Sequence, residues 1–168
     1  MNPEWRDLPN PDRFCFACGA DNHCGLRMTF AENGQKLRSR VALSEHTRGW
    51  HNLVHGGILA TVLDETLSWT AIQLKRSFVL TRRMEIEYRK PVAVGSVLRG
   101  YGWIIADNGR RLTVNGEIFN LKEELCCRGQ AEFSLFSGSE FARLKIVPEE
   151  FIRQVEAGFQ SPQATISP

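Results

Sequence analysis

Between Gly57 and about Leu74 the chain carries no proline and spreads Ile58, Leu59, Val62, Leu63, Leu67, Trp69, Ile72 and Leu74 around most of a helical wheel. A helix that is apolar on nearly every side must be covered on nearly every side, so the rest of the chain has to wrap it. The exception is a narrow stripe of small or polar residues, because Gly57, Ala60, Thr61, Asp64, Ser68 and Ala71 fall on one side at 100° per residue. Asp64 stands in the middle of that stripe. With 168 residues and 42% apolar content there is enough chain for one domain with a real core, and too little for two.

The wrapping material reads as strands. Leu26, Met28 and Phe30 alternate with Arg27 and Thr29 from near Gly25, and Asn33-Gly34 is a hairpin signal leading into Leu37 to Leu43. Ser44 to Val54 is a connecting loop that ends at His55-Gly56-Gly57. After the helix, Met84, Ile86 and Tyr88 alternate against Glu85, Glu87 and Arg89, which predicts a strand over 78–89 with one face on the core. Val97 to Ala106, the Asn108-Gly109 hairpin signal, Leu112 to Phe119 and Leu125 to Phe136 supply the remaining strands, about six in all. The expected class is α+β, a single curved antiparallel sheet wrapped around one long central helix. Its open edges predict pairing with a second copy, as a homodimer or a dimer of dimers. Residues 1–23 read as an ordered arm carrying Cys15 and Cys18, 24–137 as the domain, and 138–168 as a tail. The tail holds one short amphipathic helix, Pro148 to Ala157, and a frayed end at Ser161 to Pro168.

Composition narrows the function classes. A formal charge of +2 is too balanced for a general nucleic-acid binder, and no stretch reaches the apolar length of a membrane span. Glu4, Trp5, Arg6 and Asp7 have no apolar run behind them, so a cytoplasmic protein is expected. Five cysteines without a secretory signal point to reduced thiols. Cys15-x2-Cys18, with His23 and Cys24 close behind, has metal-like spacing. Four ligands crowded so tightly would be unusual, and no later Cys/His pair completes a set, so the expectation is structural thiols and no metal. Cys126 and Cys127 point to opposite faces of a strand and cannot chelate together.

Chemistry concentrates at His55-Gly56-Gly57 and Asp64. Two glycines at a helix start permit close backbone approach, and the unpaired N–H groups of the first turn suit an oxygen that gains negative charge, as a thioester carbonyl does during acyl transfer. A buried carboxylate without a counter-ion is expensive, so Asp64 should have partners or a task. The stretch Trp50 to Trp69 resembles the helix motif of hotdog-fold thioesterases of the phenylacetate-pathway type, in which a His-Gly-Gly turn precedes a catalytic Asp by the spacing from His55 to Asp64. Leu80 to Val92, followed by Gly95, is similar to the next strand of that family, where a hydroxyl at the Thr81 position faces the active site. Cys15-Phe16-Ala17-Cys18-Gly19, Asn22 and Gly25-Leu26 resemble an N-terminal segment of a subset of the superfamily, so the likeness covers 15 to about 136.

The resemblance implies a hotdog fold that hydrolyses an acyl-CoA with no metal or organic cofactor. It implies that the N–H of Gly57, and of Gly56 beside it, polarises the carbonyl while His55 shapes the turn. Asp64 from the partner subunit acts as general base or nucleophile, and Thr81 holds the water. In some relatives a polar side chain upstream of the turn assists. Its place here is Gly49, with Asn52 or His51 as nearby substitutes. Arg82, with Arg83, Arg89 and Lys90, would meet CoA phosphates.

Plainer roles stand beside these. Asp64 can be a helix carboxylate satisfied by hydroxyl or arginine neighbours, His55 a turn histidine bonding backbone, and the basic residues a solvated strand face. Glu65, on another side of the wheel, is expected in a salt bridge. A non-catalytic acyl-CoA-binding hotdog module is the rival function; a hotdog dehydratase fits less well, because it pairs a histidine base with an acid in a different motif.

Overall fold

The computed structural model describes residues 4–159, so the expected frayed end lies outside the described residues. In chain order the elements are β1 (Arg6–Asp7), β2 (Thr29–Glu32), β3 (Leu37–Ala42), a 3-10 turn (Glu45–Thr47), α1 (Gly56–Lys75), β4 (Phe78–Tyr88), β5 (Val97–Asp107), β6 (Arg111–Asn120), β7 (Leu125–Phe136), α2 (Gly138–Arg143) and α3 (Glu149–Phe159). The strands form one sheet in the order β1-β2-β3-β5-β6-β7-β4, antiparallel throughout. Both hairpin signals hold, with Gly34 and Gly109 at φ +83° and +82°.

The helix is covered as its apolar circumference demands. Leu59, Val62, Leu63, Leu67, Trp69 and Ala71 pack against Leu37, Leu98, Leu112, Val114, Ile118 and Phe133 of the sheet. Thr66 and Thr70 are buried on the same face without loss, because each hydroxyl donates to a carbonyl one turn back, at 2.7 Å to Val62 and 2.7 Å to Thr66. Ser39 on β3 meets the Thr66 hydroxyl at 2.7 Å and ties helix to sheet. Leu67 is fully buried at this contact. Leu67→Ala should therefore lower the unfolding free energy by about 2–5 kcal/mol, measured by denaturant titration. A loss below about 1 kcal/mol would mean that the helix is not the centre of the core.

Several expectations need correction. The strands number seven among the described residues, because the arm contributes β1, hydrogen-bonded to β2 and fastened by the Arg6 guanidinium on Glu32 at 2.7 Å. The tail carries two helices where one was expected. A capping box starts α2: the Ser137 hydroxyl accepts from the Glu140 N–H, and the Glu140 carboxylate accepts from the Ser137 N–H. Phe141 of α2 stacks on Phe78 at 4.8 Å, and Ile152, Val155 and Phe159 of α3 complete a second, smaller cluster over the start of β4. Between the arm, α1 and this tail lies a mainly apolar cavity of about 450 Å³, lined by Leu8, Cys15, Glu65, Trp69, Val79 and Val155 among others. Among the described residues no helix is long and apolar enough to cross a membrane.

Candidate active site

The loop before α1 is a compact device for presenting a helix start. Arg48 bridges Val54, Leu53 bridges Ala93, and the His55 N–H donates to the Thr47 carbonyl at 2.9 Å. Gly49 packs so tightly that a Cβ there would stand 2.9 Å from the His55 Cα. No side chain fits at that position without movement of the His55 backbone. Asn52 and His51 are both exposed, and the Asn52 carbonyl accepts the Val94 N–H at 2.9 Å.

His55 is the N-cap of α1. Its backbone is extended at φ −63° and ψ 135°, and its Nδ1 accepts the Gly57 N–H at 2.9 Å. That bond occupies the Gly57 N–H and leaves the Gly56 N–H without a hydrogen-bond partner among the described residues. The Gly56 carbonyl, in turn, accepts from the Tyr88 hydroxyl at 2.9 Å. Tyr88 belongs to the row of β4 whose alternation predicts a core-facing side, yet it is half exposed and braces the helix start from β4. Nothing local in the sequence marks that role, which depends on β4 running back past the N-terminus of α1.

Two turns along α1, Asp64 is half-buried, and its Oδ1 accepts from the Thr81 hydroxyl at 3.1 Å. The two residues that the motif singled out do meet. Burial holds the Asp64 carboxyl above its ordinary range, opposed only in part by the Thr81 bond. At this point β4 breaks register: Thr81 faces Phe133 and Arg83 faces Glu132, so Arg82 is the extra, exposed residue of a bulge. The bulge follows directly on the hydroxyl that meets Asp64. Among the described residues β4 pairs only with β7, which leaves its other edge open, and that edge strand carries Thr81, Arg82 and Tyr88.

Glu65 departs from expectation. It is in no salt bridge among the described residues; it faces the arm, where its Oε1 accepts from Trp69 Nε1 at 3.1 Å and lies 3.8 Å from the Cys15 sulfur. Burial pushes its carboxyl up to about 7. Cys18 is buried beside it, whereas His23 and Cys24 are exposed and take no part. Sequence reasoning missed this meeting because it depends on how the arm folds back.

Comparison with known proteins agrees with this architecture. The family model of the Thioesterase superfamily matches residues 51–127, which contain the helix start, Asp64 and Thr81. Acyl-coenzyme A thioesterase THEM4 of Rattus norvegicus is 32% identical over 104 residues, covering 60% of this chain and 44% of that protein, so the chain spans under half the length of this curated relative. Two solved structures share the fold. The PaaI protein of the E. coli phenylacetic acid degradation operon has a TM-score of 0.61 at 14% identity, over 67% of this chain and 81% of its own. A hypothetical thioesterase protein from Streptococcus pneumoniae TIGR4, solved with coenzyme A, has a TM-score of 0.61 at 16% identity, over 66% and 86%. With a long helix wrapped by an antiparallel sheet, the chain has the hotdog fold, and its residues 51–127, which begin just before the His-Gly-Gly turn, are similar to the Thioesterase superfamily.

Proposed function

We propose that this chain hydrolyses an acyl-CoA thioester to the free acid and CoA, in a site completed by a second copy of itself. The observation that carries the reading is the Asp64–Thr81 pair, a half-buried carboxylate on the small-residue stripe whose bonding partner is a hydroxyl and not a cation. A carboxylate held this way keeps its basicity, and its neighbour can share a water with it. Asp64 takes a proton from that water as the oxygen attacks the carbonyl, or attacks the carbonyl itself. The oxyanion rests on the Gly56 N–H, with the Gly57 N–H beside it held by His55. The carbon–sulfur bond then breaks, and the CoA thiolate leaves and takes up a proton.

Spacing supports sharing between subunits. Asp64 lies seven residues beyond Gly57, about 10 Å along the helix axis, whereas reacting atoms must come within about 3.5 Å. That span argues against one chain bringing its own acid and its own helix start to one carbonyl. A second copy joined along the open edge of β4 can bring the two together. The apolar cavity, lined by Glu65 beside Asp64 and by Val79 two residues before Thr81, has the size of a small-molecule site and suits an acyl group. Arg82, exposed at the β4 bulge, would meet CoA phosphates. Residues 24–137 would be the catalytic unit, and the arm and tail would shape this cavity. Five unpaired cysteines and a CoA ester substrate fit the cytoplasm.

Thiol release from aromatic, short-chain and long-chain acyl-CoAs, measured on the purified protein, tests the reading. Turnover above the buffer rate is expected for at least one class. Tight binding of the panel without any thiol release would instead favour a non-catalytic acyl-CoA-binding module.

A further inference from the structure

On the side of α1 that faces the arm, Cys15, Cys18 and Glu65 bring one ligand atom each to a common point, all three within 4.8 Å of one another. We propose that these three residues bind a thiophilic divalent cation, zinc above all, that clamps the N-terminal arm to the central helix. The inference does not depend on the hydrolase reading, since neither Asp64 nor the helix start takes part.

The distances fit a tetrahedral ion. Zinc–sulfur bonds of about 2.3 Å and zinc–oxygen bonds near 2.1 Å place sulfur and oxygen about 3.6 Å apart and two sulfurs about 3.8 Å apart. The Cys15 sulfur stands 3.8 Å from Glu65 Oε1. Little movement would be needed to close the set.

The turn that carries the two thiols is fixed before any ion arrives. Asp12 Oδ1 accepts the N–H groups of Phe14 and Cys15, both at 3.0 Å. Asn10 Nδ2 donates to the Cys18 carbonyl at 3.0 Å, and the Gly19 N–H donates to the Cys15 carbonyl at 2.9 Å. No side chain fits at Gly19, where a Cβ would stand 2.6 Å from the Cys15 carbonyl oxygen. On the helix side, the Trp69 indole N–H holds the carboxylate at 3.1 Å, the kind of outer contact that aims a metal ligand.

Charge argues the same way. A carboxylate turned into an apolar wall calls for a cation, and among the described residues no lysine, arginine or histidine bridges Glu65. Thiolate donors select zinc over magnesium or calcium, which take oxygen shells. Three protein ligands leave a fourth position, and because all three residues line the 450 Å³ cavity, that position opens into it and would take a water.

The test uses the whole protein, purified under reducing conditions. Metal content by elemental analysis and titration with Co(II) should each give one equivalent per chain, the cobalt form showing sulfur-to-metal charge-transfer and strong visible bands of a tetrahedral thiolate site. Cys15→Ser and Cys18→Ser should abolish the charge-transfer band, and Glu65→Gln should weaken zinc binding at least tenfold in competition with a chelating dye. Cys24→Ser should change nothing. If the serine variants do not fold, Glu65→Gln and the wild-type spectrum still decide the matter. Absence of the cobalt bands in the wild type, equal affinity in Glu65→Gln, or a Cys15–Cys18 disulfide in metal-free protein by mass spectrometry would overturn the proposal, the last in favour of a redox pair.

Discussion

Asp64→Asn is expected to lower turnover of acyl-CoA by about 10²–10⁴-fold, the usual loss when a positioned base is removed. Asparagine keeps the shape and can still accept from Thr81, so the fold should survive. Because burial disfavours the charged form of Asp64, removing that charge should leave the melting temperature unchanged or raise it. Asp64→Ala should show the same loss with binding of CoA retained. Steady-state thiol release, with circular dichroism and CoA titration on the same preparations, checks the prediction. A variant that turns over at the wild-type rate would remove Asp64 from the chemistry.

The second large effect concerns the helix start. Gly56→Pro deletes a single N–H and little else. Proline is well accommodated at the first helical position, and His55 before it already has the extended backbone that proline requires. A Cβ at residue 56 would meet the Tyr88 ring at 3.6 Å, an ordinary contact. If the Gly56 N–H stabilises the oxyanion, kcat should fall by about 10²–10³-fold, as it does when one such donor is lost, while KM moves little. An unchanged kcat would transfer the role to Gly57 and require His55 Nδ1 to release that N–H during the reaction.

The parts of this fold that were legible in the sequence are those governed by local rules. The Asn33-Gly34 and Asn108-Gly109 turns demand positive φ, and a proline-free segment apolar around most of a helical wheel reads as a covered helix. The Asp64–Thr81 meeting was legible only through the motif, since seventeen residues and a turn separate them. What escaped is long-range. β1 is two residues long and exists because Arg6 reaches Glu32, twenty-six positions away. Glu65 reads on the wheel as a salt-bridge partner, yet the arm covers it and its contacts are Trp69 and Cys15. The bulge at Arg82 is set by register against β7, and no pattern in β4 announces it. The capping box at Ser137 and Glu140 did offer a readable signal for α2, one that the search for apolar periodicity passed over.

The most direct measurement mixes two inactive proteins. Asp64→Asn and Gly56→Pro chains, unfolded together and refolded, form mixed dimers in which each chain carries one defect. If the acid of one subunit serves the helix start of the other, half the sites in a mixed dimer carry both lesions and half carry neither. Random pairing then restores about a quarter of wild-type activity. A mixture no more active than its two components would contradict the shared site, and with it the account given for Asp64.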